Sequence, residues 1–361
     1  MTMTQIPEMT QIPEQQKKEK QHTIKCVIWD LDNTLWDGVL LENEDVKLYD
    51  NVKEIILTLD SRGILQSIAS KNDYQTAMAK LQHLGLAEYF LYPQINWNAK
   101  SSSVREIARS FNIGLDTLAF IDDQPFELDE VAHEVPEVLC IAASERDTLL
   151  ARPEMMPRFL TEDSRQRRLM YLSDIERNKA EKDFAGPAED FLKTLNMVFT
   201  IAPATLDDLQ RAEELTVRTH QLNTTGYTYS YDELNAFRLS DRHKLYVAEL
   251  NDRYGRYGKI GLTLVECAED VWTVKLLLMS CRVMSRGVGT ILMNFLMKQA
   301  QKAGVRLLAE FIPNEKNRMM FVTYKFAGFK ELEKRGDLVI FECDLSRIQE
   351  FPTYVTVNCQ E

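Results

Sequence analysis

The sequence lacks most of the devices that would place it in a specialised class. No apolar run reaches the roughly 18 residues of a membrane-spanning helix. The N-terminal stretch has no apolar signal core, which predicts a cytoplasmic protein without a membrane partner. The six cysteines (Cys26, Cys140, Cys267, Cys281, Cys343 and Cys359) form no CxxC pair. Most fall in strand-like runs, with Cys359 in the terminal tail, so they read as reduced thiols, not as a zinc or disulfide framework. Positive charge is short as well: 43 Lys and Arg stand against 55 Asp and Glu, a net charge of −12. That excludes a general nucleic-acid binder, which needs clustered cations to neutralise phosphates. The one basic crowd, Arg165, Arg167, Arg168, Arg177 and Lys179, shares a helical stretch. It can meet an acidic partner, but a solvated helix face is the simpler reading.

What is present is an ordinary globular balance, 45% hydrophobic and 27% charged, over 361 residues. That length suits two domains better than one. Residues 1–22 are polar and carry the tandem hexapeptides Met3–Glu8 and Met9–Glu14, which read as a disordered tail. From Thr23 strands and helices alternate. Strands are expected at Ile24–Trp29, Ile64–Ala69, Tyr89–Ile95, Leu118–Ile121 and Val138–Ile141. Helices are expected at Val52–Arg62, Tyr74–Leu84 and Ser102–Phe111, with Asp73 and Ser101 as N-caps and glycines as stops. Repeated β-α-β units with apolar strands imply an α/β domain, a doubly wound parallel sheet, over 23–150. Residues 151–195, with the charged run Asp163–Asp183, read as a helical connector. After it, over 196–361, come a helix (Leu206–Leu222), strands Leu245–Leu250, Ile260–Glu266 and Trp272–Cys281, and a helix Val288–Ala303. Short turns between those strands imply a mixed, partly antiparallel α/β domain.

Four features gather at strand ends in the first domain. Asp30 and Asp32 end the first strand, two apart and projecting to one side. One carboxylate can attack phosphorus and hold a metal while the other moves the leaving-group proton. Ser70 offers a hydroxyl to a phosphoryl oxygen. Lys100, at an exposed helix start, supplies a cation to offset charge in phosphoryl transfer. Asp122 and Asp123 suit an oxygen-seeking ion such as Mg²⁺. Each is weak by itself, since DxD pairs are often solvated turns. Their recurrence in register across three strands resembles the haloacid dehalogenase (HAD) superfamily over residues 24–142. The resemblance implies Asp30 as nucleophile, Asp32 as general acid/base, Ser70 and Lys100 as phosphoryl-binding groups, and Mg²⁺ held by the set Asp30, Asp32 and Asp122. It leaves open whether Asp123 or Glu127 also touches the ion. Only 37 residues separate Asp32 from Ser70, and 29 separate Ser70 from Lys100. Neither gap holds a cap domain, so the site is expected to be uncapped and open.

In the second domain, Arg282–Leu292 joins a strand to a helix through Gly287 and Gly289, a backbone arrangement able to cradle phosphates. With Asn317, Tyr324 and Ala327-Gly328-Phe329 it resembles the GNAT acyltransferases over about 196–345. It departs from that pattern at Met284, where Gln or Arg is usual, which weakens acetyl-coenzyme A as donor. Cys281 stands on the strand just before the glycine turn. Its thiolate would be a nucleophile if Arg282 and Arg286 lower its pKa and His220 acts as base. By residue chemistry alone, a core cysteine and a hydrogen-bonded histidine are the simpler readings of both.

A HAD-like domain joined to a GNAT-like domain bearing Ser280-Cys281-Arg282-Val283 resembles the FkbH-like glyceryl transferases of polyketide biosynthesis. The resemblance implies a phosphoglyceryl donor, 1,3-bisphosphoglycerate, and a glyceryl thioester on Cys281. It also implies phosphate removal, and delivery to the phosphopantetheine thiol of an acyl carrier protein. The rival expectation is a HAD phosphatase fused to an acyl-coenzyme A N-acetyltransferase. A non-catalytic docking module is disfavoured by the complete Asp, Asp, Ser, Lys, Asp set.

Overall fold

The computed structural model describes residues 23–360 except Glu44. The expected tail over 1–22 lies outside the described residues. The chain divides into two compact units, one ending at Pro157 and one beginning at Arg158. The stretch read as a connector therefore splits, with 158–195 belonging to the second unit.

In the first unit the elements run β1 (Cys26–Trp29), β2 (Trp36–Asp37), β3 (Lys47–Leu48), α1 (Val52–Ser61), β4 (Leu65–Ser70), α2 (Tyr74–His83), β5 (Gln94–Ile95), α3 (Lys100–Phe111), β6 (Leu118–Asp122), α4 (Pro125–Glu134) and β7 (Leu139–Ala142). The sheet order is β5-β4-β1-β6-β7, and every pairing is parallel. β1 is central and all four of its residues are buried, as a strand covered on both faces requires. The buried polar Gln66 is satisfied: its Oε1 accepts from Trp29 Nε1 at 3.2 Å, and its Nε2 donates to Ile56 O at 2.9 Å. The expected strand Tyr89–Ile95 shrinks to β5, because Ala87–Tyr89 forms a helical turn. Asp73 caps α2, accepting from Thr76 N. Ser101 does not cap α3, which already begins at Lys100.

The second unit comprises α5 (Glu162–Arg165), α6 (Arg167–Asp183), α7 (Ala188–Thr194), β8 (Met197–Pro203), α8 (Leu209–Arg218), α9 (Tyr231–Leu239), β9 (His243–Asp252), β10 (Gly255–Cys267), β11 (Val271–Met279), α10 (Val288–Ala303), β12 (Arg306–Phe311), α11 (Arg318–Phe326), β13 (Phe329–Arg335), β14 (Leu338–Cys343) and β15 (Val355–Cys359). Its sheet runs β13-β14-β12-β11-β10-β9-β8-β15. β11–β12 and β15–β8 are parallel and the other pairs antiparallel. This is the expected mixed α/β architecture. Cys359, read as tail, belongs to β15.

The basic crowd is only partly a solvated face: Arg165 and Lys179 are exposed, but Arg167 and Arg177 are drawn into the unit. Arg177 is fully buried. It donates to Asp252 Oδ2 at 2.6 Å and Oδ1 at 2.9 Å, pairs with Asp174, and lies 4.0 Å over the Tyr257 ring. Arg167 reaches Glu214 Oε1 at 2.6 Å. Arg177 thus fastens α6 to β9, and Arg167 fastens it to α8. Among the described residues no helix is long and apolar enough to cross a membrane.

Candidate active site

The exits of β1, β4 and β6 bring Asp30, Ser70 and Asp122 together at one end of the first sheet. The parallel register aligns these strands, and Asp30 N donates to Ile121 O at 2.9 Å. Lys100, at the first turn of α3, binds the cluster together. Its Nζ bonds Asp30 Oδ1, donates to Asp122 Oδ2 at 3.0 Å, and donates to Ala69 O at 2.7 Å. The expectation that this helix start is exposed fails: Lys100 is 3% exposed, because three acceptors draw it inward. Ser70 is buried, and its hydroxyl helps hold the Asp30 carboxyl down.

Burial pushes the Asp30 carboxyl up, Lys100 pulls it back and Asp122 pushes again; it settles at about 7. Burial also works against the Lys100 charge, but Asp30 and Asp122 outweigh it and hold the ammonium above its ordinary value. Asp123 is raised by burial and then by its neighbour Asp122. Carboxylates crowded in this way need a further cation before all can ionise. The residues fit one. Ligand atoms of Asp30, Asp122 and Asp123 lie within 4.8 Å of one another, and Asp123 Oδ1 is buried without a hydrogen-bond partner. An all-oxygen set of this kind matches a hard ion of the Mg²⁺ type.

Asp32 is not among those three side chains. Its Oδ1 accepts from Trp36 Nε1 at 2.8 Å and Leu40 N at 3.0 Å, and its Oδ2 from Asn72 Nδ2 at 3.0 Å. Those donors fix the orientation of the Asp32 carboxylate. Glu127, left open by the sequence, is taken by Lys71 Nζ at 2.6 Å. Trp36 and Asn72 as orienters of Asp32 were missed. Their one signal was position, since Asn72 follows Ser70 by two in the same strand-exit loop. Between β1 and β4 lie only the small β2–β3 hairpin, its joining turn and α1, so among the described residues no cap domain intervenes.

In the second unit Cys281 is not on a strand. β11 ends at Met279, and Cys281–Arg286 forms a helical turn that closes on Gly287. Gly287 is required there: it is left-handed at φ 71°, and a Cβ would strike Tyr354 Oη. Cys281 is half-buried. Arg282 is anchored, with Nη2 donating to Tyr257 O at 2.8 Å and Nη1 lying 3.2 Å from Met170 Sδ. Arg286 is buried and paired with Glu181 at 2.9 Å, while its Nε has no partner. Met284 is exposed.

The β11–β12 pairing covers only Val271–Val274. Beyond it, the chain's own Leu222–Thr224 lies against β11. Met279 N donates to Leu222 O at 2.9 Å, and Thr224 N donates to Leu277 O at 3.1 Å. Ile312 N, just past β12, donates to Thr224 O at 3.0 Å. The contact with β11 is antiparallel, with Asn223 opposite Leu278. His220, two residues before Leu222 and exposed, and Cys281, two after Met279, therefore lie at the same end of this short ladder.

No protein-family model matches the chain. Human magnesium-dependent phosphatase 1 is 25% identical over 127 residues, covering 30% of this chain and 72% of that protein. Among solved structures, the N-terminal part of BF1531 from Bacteroides fragilis, containing a phosphatase domain complexed with Mg, is 29% identical with a TM-score of 0.31. That match covers 42% of this chain and only 39% of the other. The ribosomal-protein-S18-alanine N-acetyltransferase of Escherichia coli is 19% identical with a TM-score of 0.34, covering 42% of this chain and 97% of its own. The chain is thus similar over about a third of its length to a magnesium-dependent phosphatase.

Proposed function

We propose that this chain is a Mg²⁺-dependent phosphatase and glyceryl transferase. It takes a phosphoglyceryl unit from 1,3-bisphosphoglycerate, removes its phosphate, and passes glyceryl to the phosphopantetheine thiol of an acyl carrier protein in the cytoplasm. One observation carries the reading. The same chain pairs a buried Asp30–Lys100–Asp122 cluster with a half-buried cysteine that opens the turn after β11.

The steps balance on the chain's own groups. The Cys281 thiol attacks the acyl carbon of the mixed anhydride; the acyl–oxygen bond breaks, and inorganic phosphate leaves with the thiol's proton. The carrier thiol attacks the resulting thioester, loses its proton, and regenerates the Cys281 thiol. At the other domain Asp30 attacks the phosphorus of the phosphomonoester and the P–O bond breaks, with Asp32 protonating the departing alcohol oxygen. Water then attacks the phosphoaspartate, giving its proton to Asp32 and restoring Asp30. Lys100 holds the Asp30 oxygen and offsets charge on the phosphoryl oxygens, and Ser70 orients them. A divalent ion on Asp30, Asp122 and Asp123 would supply further charge neutralisation at those oxygens.

Intact-protein mass spectrometry after incubation with 1,3-bisphosphoglycerate and Mg²⁺, with and without a carrier protein bearing its phosphopantetheine arm, tests the proposal. A covalent acyl adduct that disappears on adding the carrier supports it. No adduct, together with saturable coenzyme A binding, would favour the N-acetyltransferase reading.

A further inference from the structure

In the first unit four large apolar side chains stand in water at one end of the sheet. Tyr74 (50% exposed), Trp97 (68%) and Phe126 (73%) sit just past β4, β5 and β6, and Leu41 (52%) in the turn of the β2–β3 hairpin that follows β1. These are the four consecutive strands of the order β5-β4-β1-β6. Each segment also carries a group of the phosphoryl site. Leu41 follows Leu40, whose N–H bonds Asp32. Tyr74 opens α2 two residues after Asn72, which also bonds Asp32. Trp97 precedes Lys100 by three residues, and Phe126 follows Asp122 by four. Isolated exposed apolar residues need no explanation, but one in each site-bearing exit of adjacent strands is a patterned surface.

Charge narrows what such a surface can hold. From Thr23 to Pro157, 23 acidic residues face 11 basic ones, so this unit carries the excess negative charge of the chain. Lys100 is consumed by the cluster, and Lys71 beside Ser70 is paired with Glu127. A substrate bearing a second anionic group beyond its phosphoryl end would meet a repelling field. A neutral, partly apolar remainder would meet aromatic faces instead.

We infer that Trp97, Phe126, Tyr74 and Leu41 are specificity-determining contacts that select a phosphomonoester whose remainder is an uncharged acyl thioester, over a free phosphorylated carboxylic acid. This rests on the phosphoglyceryl reading above and adds the residues that recognise the substrate's non-phosphate part. The reaction itself is hydrolysis: the P–O bond breaks, water's oxygen goes to inorganic phosphate, and the alcohol keeps its oxygen and gains a proton.

The test uses the full chain with saturating Mg²⁺ and measures phosphate release from three compounds: the 3-phosphoglyceryl thioester of pantetheine, 3-phosphoglycerate, and glycerol 3-phosphate. Wild type should favour the thioester over 3-phosphoglycerate by about tenfold or more in kcat/KM. The double variant Trp97→Ser/Phe126→Ser should lower the thioester-to-glycerol-3-phosphate ratio by about tenfold, chiefly through KM. Leu57→Ser, an exposed site within α1, should leave that ratio at the wild-type value. A wild-type ratio in the double variant, or a wild-type preference for 3-phosphoglycerate, overturns the inference and leaves the glyceryl reading standing. If wild type cleaves glycerol 3-phosphate but neither phosphoglyceryl compound, the glyceryl reading falls and takes the inference with it.

Discussion

Lys100 Nζ sits 3.0 Å from Asp122 Oδ2 while also bonding Asp30, so one buried ammonium holds two carboxylates that belong to different strands. Removing it leaves like charges crowded at the exits of β1 and β6. Lys100→Met should slow phosphate release by about 10²-fold or more, the scale of losing one electrostatic stabiliser. It should also lower the melting temperature of the metal-free protein, because breaking a buried ion network is costly. Added Mg²⁺ should restore much of the melting temperature but not the turnover, since an ion can neutralise carboxylates without replacing the lysine's hold on the phosphoryl group. A variant that melts and turns over like wild type would show the site to be wrongly drawn.

Asp30→Asn removes the carboxylate proposed as nucleophile while keeping shape and hydrogen-bonding capacity. Phosphate release should fall to background, with the circular dichroism spectrum unchanged. Excess chelator should do the same to wild type and be reversed by Mg²⁺. Full release in either arm would remove the phosphatase assignment.

The second unit has its own pH signature. Glu214 is fully buried. Burial pushes its carboxyl up, but Arg211, Arg167 and Arg218 outweigh this and hold it well below the usual carboxylate range. A folded pKa below the unfolded one means that the unfolded chain binds the proton more readily. The contribution is therefore complete above the unfolded value near 4.5 and is lost as pH falls from there towards the folded value. Urea midpoints for wild type should decline through that acid window. Glu214→Gln should be less stable at neutral pH, because three guanidiniums lose their counter-charge, and should decline less on acidification. Parallel wild-type and variant curves would remove Glu214 from the acid response.

Much of the first unit was legible because its signals are local. Apolar runs ending in Asp30, Ser70 and Asp122 define both the strands and the site, since parallel strands put their exits on one side. What was not legible depends on side-chain direction. Asp32 is held by Trp36, Leu40 and Asn72, and spacing alone gives no hint that Asp123 joins Asp30 and Asp122 in the cluster. The basic run of α6 misled for a related reason: Arg177 and Arg167 find Asp252 and Glu214, 75 and 47 residues away. Cys281 was placed on a strand because the apolar run continues towards it. The strand in fact stops at Met279, and Ser280 N–H turns to Ile260 O at 2.7 Å.

The acyl and phosphoryl steps should separate by mutation, because their groups lie in different units. Cys281→Ala leaves every residue of the Asp30 cluster in place and removes the one thiol beside the Gly287 turn. It should form no covalent glyceryl adduct and deliver nothing to the carrier protein, yet still hydrolyse a simple phosphomonoester. Asp30→Asn should behave oppositely, accumulating an adduct that keeps its phosphate and weighs correspondingly more in the mass spectrum. The other thiols serve as internal controls. Burial pushes Cys26, Cys267 and Cys343 up, the last to about 12, and pushes Cys140 up to about 11, so these stay protonated and unreactive near neutral pH. Cys359 is exposed at the end of β15, remote in sequence from the glycine turn. Alanine at any of these five should leave the adduct mass and its rate unchanged. If Cys281→Ala still loads the carrier at the wild-type rate, the acyl unit must pass directly from the donor to the pantetheine thiol. The covalent step on Cys281 would then be lost, while the chemistry of Asp30, Lys100 and Asp122 would stand.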